Sequence, residues 1–395
     1  MSAPSRGGGG GGGGTAVEAR AGEAQVRIPL STPDIGDDER EAVMAVLGTD
    51  RLSLGPVIGE FERRLAEWAG VEHAVAASSG TAALHMAVRA LGLRGGDEVI
   101  TTPFSFIASS NCLLYEGAKP VFVDVERDTL NIDPDQVRTA ITPLTRGILA
   151  VDIFGHPADW DALRSLASEF ELALIEDSAE ALGSTYRGRP AGGLADVGVF
   201  GFYPNKQITT GEGGAFVTND GELAEMARSL ANHGREETGD LWNEHRRLGY
   251  NYRLSEIACA LGIAQLDRLE ELMERRARVA GWYRERLAKI DAITLPDARD
   301  DVRLSWFVYV VRLDGGYSRS ERDRIIDELR ARGIGCRNYF PPIHLQPFFR
   351  ETYGYAPGDF PITEAVAERT IALPFFAALT ENEVAEVVET LGAVI

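Results

Sequence analysis

The stretch GFYPNKQITTGEGGAF, residues 201–216, sets Lys206 two residues after Pro204 and just ahead of Gly211, Gly213 and Gly214. Proline fixes one backbone torsion and glycines permit a tight bend, so the segment holds its lysine on a defined backbone. A lysine held in this way is a candidate amine nucleophile. Such amines form Schiff bases with carbonyl compounds, above all with pyridoxal 5′-phosphate, when neighbouring groups lower their pKa. A solvent-facing lysine beside a tight turn is the competing reading of this loop taken alone.

A pyridoxal cofactor needs an anion for its ring nitrogen, a cradle for its phosphate and a flat surface for its ring. Asp177 ends the apolar run LALIED, and in open parallel sheets ligands bind at the carboxyl ends of strands. Gly80 and Thr81, in SSGTAAL, stand where a strand passes into a helix, and free amides at a helix N-terminus suit a phosphate. Phe104, in TTPFSF, follows another strand end and is the candidate stacking surface. Each has an ordinary alternative: turn capping for Asp177, simple N-capping by Ser79 for the helix start, and core packing for Phe104.

The elements that must position these residues alternate along the chain. From residue 70, HAVAAS, DEVITT, PVFVDV, GILAVDIF and LALIED read as strands, with helical segments such as TAALHMAVRAL and DWDALRSLASEF between them. Continuous Val, Ile, Leu and Ala runs are those of a parallel sheet covered on both faces. DVGVFGF and GAFVTND bracket the lysine as adjacent strands. Ser255 is a plausible N-cap for about thirty residues of helical spacing, a long or bent helix, followed by a compact α+β region. The expected division is a Gly-rich flexible tail at 1–26, a large α/β domain at 27–270 and a small α+β domain at 271–395.

Composition narrows the classes. A net charge of −20 without a dense basic patch argues against a nucleic-acid partner. Every apolar run stops well short of the ~18 residues of a membrane span. Cys112, Cys259 and Cys336 show neither a disulfide framework nor zinc spacing, and they read as small core residues in a reducing, cytoplasmic protein. The six histidines lack metal-site spacing. The charged stretch ERRARVAGWYRER reads as a solvated helix face with an occasional core residue.

Taken together, SSGTAALHMAVRALGLRGGDEVITTPFSFIAS, GAKPVFVDVERDTLNIDP, EDSAEALGS, GFYPNKQITTGEGGAFVTND, GYNYRLSEIACALGIAQL and YFPPIHLQP resemble the DegT/DnrJ/EryC1/StrS aminotransferases from about residue 28 to the C-terminus. The resemblance implies the fold-type I pyridoxal-phosphate architecture. It also implies a reaction: transfer of an amino group, with L-glutamate as the default donor, to the keto group of a nucleotide-linked sugar. By the same resemblance Lys206 is the Schiff-base lysine and proton shuttle, Asp177 the partner of the ring nitrogen, Gly80 and Thr81 phosphate binders, and Phe104 the stacking aromatic. Asn251 would reach across a homodimer to the neighbour's phosphate.

Two positions depart from the family pattern. Gly201 stands where many members carry a serine or threonine on the phosphate. Glu180 replaces a histidine or glutamine beside the ring oxygen, where an ionised carboxylate would repel a phenolate, so it is expected to face the substrate or carry a raised pKa. Asp152 stands where several relatives have histidine and receives no role. Arg253 is a candidate for a carboxylate or diphosphate, and His344, in PPIHLQP, is either a substrate contact or a turn residue. A keto-cyclitol acceptor is the alternative reading; a non-catalytic cofactor-binding regulator is a third, disfavoured by the presence of both Lys206 and Asp177.

Overall fold

A computed structural model of the chain describes residues 26–236 and 244–395. Residues 1–25 of the expected tail lie outside them. A seven-stranded sheet organises the larger part: β1 (His73–Ala77), β2 (Glu98–Thr101), β3 (Lys119–Phe122), β4 (Thr145–Val151), β5 (Ala173–Asp177), β6 (Val197–Gly201) and β7 (Gly214–Thr218), in the order β1-β7-β6-β5-β4-β2-β3. Only β7 runs antiparallel to its neighbours. The apolar runs behave as a sheet covered on both faces must. Leu149, Val151, Ile175, Val197 and Val199 pack on one side, and Ile148, Ala150 and Leu174 on the other. This is the two-residue period of a strand with both faces buried.

Helices α1 (Asp37–Leu47), α2 (Pro56–Ala69), α3 (Gly80–Ala90), α4 (Ala108–Tyr115), α5 (Trp160–Phe170) and α6 (Gly221–Ala231) surround this sheet. The thirty-residue helical stretch is two helices, α7 (Glu256–Asp267) and α8 (Leu269–Leu287), broken at Arg268. The Ser255 side chain caps α7 by accepting the Ala258 N–H. At the break the Arg268 guanidinium donates to Asp34 at 2.7 Å and to Glu39 at 2.8 Å, anchoring the N-terminal segment.

A second, three-stranded sheet carries β8 (Ile293–Thr294), β9 (Tyr309–Leu313) and β10 (Thr370–Leu373), covered by α9 (Arg319–Ala331) and α10 (Glu381–Val394). Helix α8 serves both cores. Its first turns, with Leu269, Leu272 and Met273, pack with the large sheet, and Val279, Ala280, Tyr283 and Leu287 pack with the small one. Arg276 between them is buried, at 3% exposure, so the expected solvated face of this helix is interrupted at that position. The three cysteines are buried and free. No helix among the described residues is long and apolar enough to cross a membrane.

Candidate active site

The parallel strands deliver their carboxyl ends to one edge of the sheet, where β1 leads to Gly80, β2 to Phe104, β4 to Asp152, β5 to Asp177 and β6 to Gly201 and Lys206. Asp177 is 5% exposed. Its Oδ2 accepts the Ser109 hydroxyl at 2.8 Å and its Oδ1 the Ala179 amide at 3.2 Å. No cation forms an ion pair with it among the described residues. Burial pushes this carboxyl above its ordinary range, opposed by the Ser109 hydroxyl, the Ala179 amide and the charge of Lys206. A buried carboxylate with hydrogen bonds but no counter-cation is costly. A protonated ring nitrogen is the kind of group that completes it, and in this respect the residues fit a pyridoxal cofactor.

Lys206 lies on the loop between β6 and β7, in a turn closed by its own amide donating to the Tyr203 carbonyl at 2.9 Å. Its Nζ lies 3.6 Å from Glu180 Oε1 and 4.0 Å from the centroid of the Phe307 ring. Glu180, 5% exposed, also accepts the Phe154 amide at 2.8 Å, and burial pushes its carboxyl up while the Lys206 charge and that amide pull it back. Phe154 is held at φ 57°, a left-handed conformation rare for a bulky residue. Strain of this kind persists only where surrounding contacts enforce it. Here those are the hydrogen bond to Glu180 and a stacked contact with Phe340, 5.7 Å between centroids. The remaining lysines are elsewhere: Lys119 pairs with Glu98, and Lys289 is exposed.

At the start of α3 the capping reading of SSGTAAL is seen directly. The Ser79 hydroxyl caps the helix by accepting the Ala82 amide at 3.0 Å. The Gly80 and Thr81 amides have no acceptor among the described residues, and they stay available for an anion. The turn packs tightly against the sheet. A Cβ on Gly214 would meet the Gly80 nitrogen at 2.5 Å, so only glycine fits there. Gly201 differs: its Cβ would meet Ala179 Cβ at 3.4 Å and Gly80 Cα at 3.9 Å, which are ordinary contacts.

Phe104 is wholly buried, with Phe154 and Phe340 against it edge-on at 5.9 and 6.4 Å. Asn251 is exposed, bridged through its backbone to Asn232, and its side chain has no hydrogen-bond partner among the described residues. Arg253 donates to the Asn232 side chain at 3.0 Å. His344 is fully buried in a short turn, with Nε2 3.1 Å from Glu364 and its ring against Phe360.

Asp152 is an internal strut. Its Oδ1 accepts the Ala158 amide at 3.0 Å and the Trp160 indole N–H at 2.9 Å, and its Oδ2 lies 2.7 Å from the Ser178 hydroxyl. The same hydroxyl lies 2.7 Å from Glu176 Oε1, and Glu176 accepts the Gly192 and Leu194 amides. Ser178 has one proton to donate and two carboxyl oxygens to meet, so a proton held on the carboxyl pair would complete this contact. Burial and the neighbouring Glu176 push the Asp152 carboxyl well up.

The structure also brings residues to the site that sequence reasoning did not name. Ser109 sits in the first turn of α4, three residues beyond the PFSF segment, and adjacency to Phe104 was its only signal. Gln207 adjoins the lysine, and Phe154 lies two residues after Asp152, which the sequence had singled out without a role. Phe307 comes from about a hundred residues away, and nothing local marks it.

Residues 33–392 match the DegT/DnrJ/EryC1/StrS aminotransferase family. The chain is 39% identical over 371 residues to the GDP-perosamine synthase of Caulobacter vibrioides, covering 93% of this chain and 98% of that one. Among solved structures it is similar to S. venezuelae DesV, with 36% identity, a TM-score of 0.86 and coverage of 93% and 98%. Spr1654 of Streptococcus pneumoniae, solved in PLP and PMP forms, is 31% identical with a TM-score of 0.88 in each and covers 93% of this chain, which spans 98% and 99% of the two. With the mainly parallel sheet and a lysine and a buried, unpaired aspartate at its carboxyl edge, this chain belongs to the DegT/DnrJ/EryC1/StrS family of pyridoxal-phosphate-dependent aminotransferases.

Proposed function

We propose that the enzyme moves an amino group from L-glutamate to the keto group of a nucleotide-linked sugar. The likeness to a GDP-perosamine synthase supports a sugar nucleotide as acceptor. One observation supports the site assignment: among the described residues the buried Asp177 carboxylate forms no ion pair, at the same sheet edge where the Lys206 amine and the unbonded Gly80 and Thr81 amides lie.

Bound pyridoxal supplies an electron sink for the bonds at the donor's α-carbon. Lys206 holds and moves the proton at that carbon, acting as nucleophile and general base from a rigid loop. Asp177, oriented by Ser109, holds the proton on the ring nitrogen. Gly80 and Thr81 would offer their amides to the phosphate, whereas Phe104, wholly buried against Phe154 and Phe340, presents no exposed face to a ring. Glu180 acts beside Lys206, steadying positive charge on its nitrogen at 3.6 Å. Asn251, exposed and without a side-chain partner, serves the phosphate of a second copy, so the active unit is a homodimer. Arg253 remains near that segment as a candidate for the substrate's anionic groups. His344 is carried forward as a turn residue.

The test is spectroscopic. L-glutamate should bleach the visible absorbance of the holoenzyme, and one of a panel of keto-sugar nucleotides should restore it with ping-pong kinetics. Failure of glutamate to bleach the enzyme refutes the donor; failure of every keto-sugar nucleotide, with a keto-cyclitol succeeding, refutes the acceptor.

A further inference from the structure

Two buried side chains tie the Lys206 loop to the rest of the molecule. Arg276, on α8, donates from its guanidinium to the Lys206 carbonyl at 2.8 Å and to the carbonyls of Phe307 and Trp306 at 3.2 and 3.4 Å. Gln207, 3% exposed, donates from Nε2 to the carbonyls of Glu180 at 2.6 Å and Ser305 at 3.0 Å. The Ser305 amide in turn donates to the Ser184 hydroxyl at 2.8 Å. The turn bearing Glu180, the loop bearing Lys206 and the segment 305–307 are therefore laced together at three successive backbone positions. The Phe307 ring lies against the Lys206 amine, 4.0 Å from its centroid to Nζ.

Arg276 has no carboxylate within ion-pairing distance among the described residues, and burial lowers its pKa to about 10, which still leaves it charged at neutral pH. A buried guanidinium answered by carbonyls and the Phe375 ring, 5.8 Å away, without a paired carboxylate is a poor way to add stability, because an apolar side chain of similar volume fills the space without the desolvation cost. What only arginine supplies is a planar fork of donors, able to hold carbonyls from two chain segments at a fixed spacing.

We propose that Arg276 is a positioning residue for the reactive amine: its fork locks the Lys206 backbone to the 306–307 segment, so that Nζ is held between the Phe307 ring and the Glu180 carboxylate. Gln207 braces the same arrangement from the Glu180 side. The inference rests on Lys206 being the reacting amine. Lysine at position 276 keeps the charge but, as a point donor, cannot span the three carbonyls.

The test compares Arg276→Lys and Arg276→Met with the parent holoenzyme, reading the L-glutamate half-reaction and the pH midpoint of the visible absorbance. Displacement of the amine by about 1 Å should lower kcat by up to ~100-fold. KM for glutamate should stay within about threefold, because the donor's own contacts are intact. The absorbance midpoint should move by about 0.5 pH unit or more, because the charged and aromatic neighbours of the nitrogen change. A lower melting temperature with kcat and midpoint unchanged overturns the proposal and leaves Arg276 a stability residue. If neither variant folds, Phe307→Leu, which leaves all three carbonyls in place, must move the midpoint; an unmoved midpoint overturns the proposal. Lys206→Ala separates the two levels. Turnover retained in it refutes the functional reading itself, whereas an inactive Lys206→Ala beside a normal Arg276→Lys refutes only the brace.

Discussion

Replacing Gly201 with serine should tighten cofactor binding through the phosphate. Gly201 ends β6 against the first turn of α3, where the Gly80 and Thr81 amides are free. Contacts of 3.4 Å to Ala179 Cβ and 3.9 Å to Gly80 Cα leave room for a Cβ without displacing backbone. A hydroxyl placed there adds one hydrogen bond to a charged group, worth about 1.5–3 kcal/mol. That corresponds to roughly 10- to 150-fold in Kd. Removing a glycine from a strand adds about 0.5–1 kcal/mol of fold stability by itself. Gly201→Ala therefore shares the stability gain and lacks the affinity gain. The assay is titration of the apoenzyme with pyridoxal 5′-phosphate and, separately, with pyridoxal. The serine variant should bind the phosphorylated compound more tightly and pyridoxal no differently. Equal affinity in the serine and alanine variants, or a gain that persists with pyridoxal, would refute the reasoning by placing the phosphate elsewhere.

Other consequences follow from the same geometry. Asp177→Asn removes the buried carboxylate proposed to meet the ring nitrogen and should cost about 100- to 1,000-fold in kcat; Ser109→Ala, which removes an orienting hydroxyl, should cost far less, near fivefold. Measured half-reaction rates decide both. Glu180→Gln takes an anion from 3.6 Å beside the Lys206 nitrogen and should lower the pH midpoint of the holoenzyme's visible absorbance by about one unit. An unchanged spectrum and unchanged kinetics would dismiss any role for it. The Asp152–Glu176 pair gives a stability effect of definite sign. Its folded pKa is raised, so its contribution is complete below the ordinary carboxylate range and is lost as pH rises toward the raised value, by at most ~1.4 kcal/mol per pH unit. Asp152→Asn carries a permanent N–H toward Ser178 and escapes that loss, so denaturant unfolding should show it gaining on the parent between pH 5 and pH 8; parallel profiles would contradict the shared proton.

What was legible in the chain had local causes. The strand runs declared themselves because both faces of this sheet are buried, and residues such as Ile148 and Leu149 point to opposite cores yet are both apolar. The lysine loop was legible because a turn needs proline and glycine, and Asp177 because it is a carboxylate at the end of an apolar strand. Arg276 was hidden. Its neighbours Arg275 and Arg278 carry the pattern of a wet helix face, and only the tertiary structure shows that a carbonyl cluster from the Lys206 loop and the 306–307 segment surrounds its guanidinium. Phe307 was hidden for the same reason, since long-range packing leaves no periodic trace. Glu180 was noticed as an odd residue, but its pairing with the Phe154 amide depends on a backbone conformation, φ 57°, that phenylalanine does not advertise.

The central claim is that Lys206 is the amine that binds the cofactor. Only three of the chain's 40 basic residues are lysines, Lys119, Lys206 and Lys289, which makes the decisive measurement simple. The holoenzyme is reduced with borohydride, digested, and the peptides are weighed. The account predicts the reduced cofactor's mass on the peptide containing Lys206 and on no other, with the label absent in Lys206→Arg. Label on the Lys119 or Lys289 peptide, or an unlabelled Lys206 peptide in a fully reduced enzyme, would contradict it.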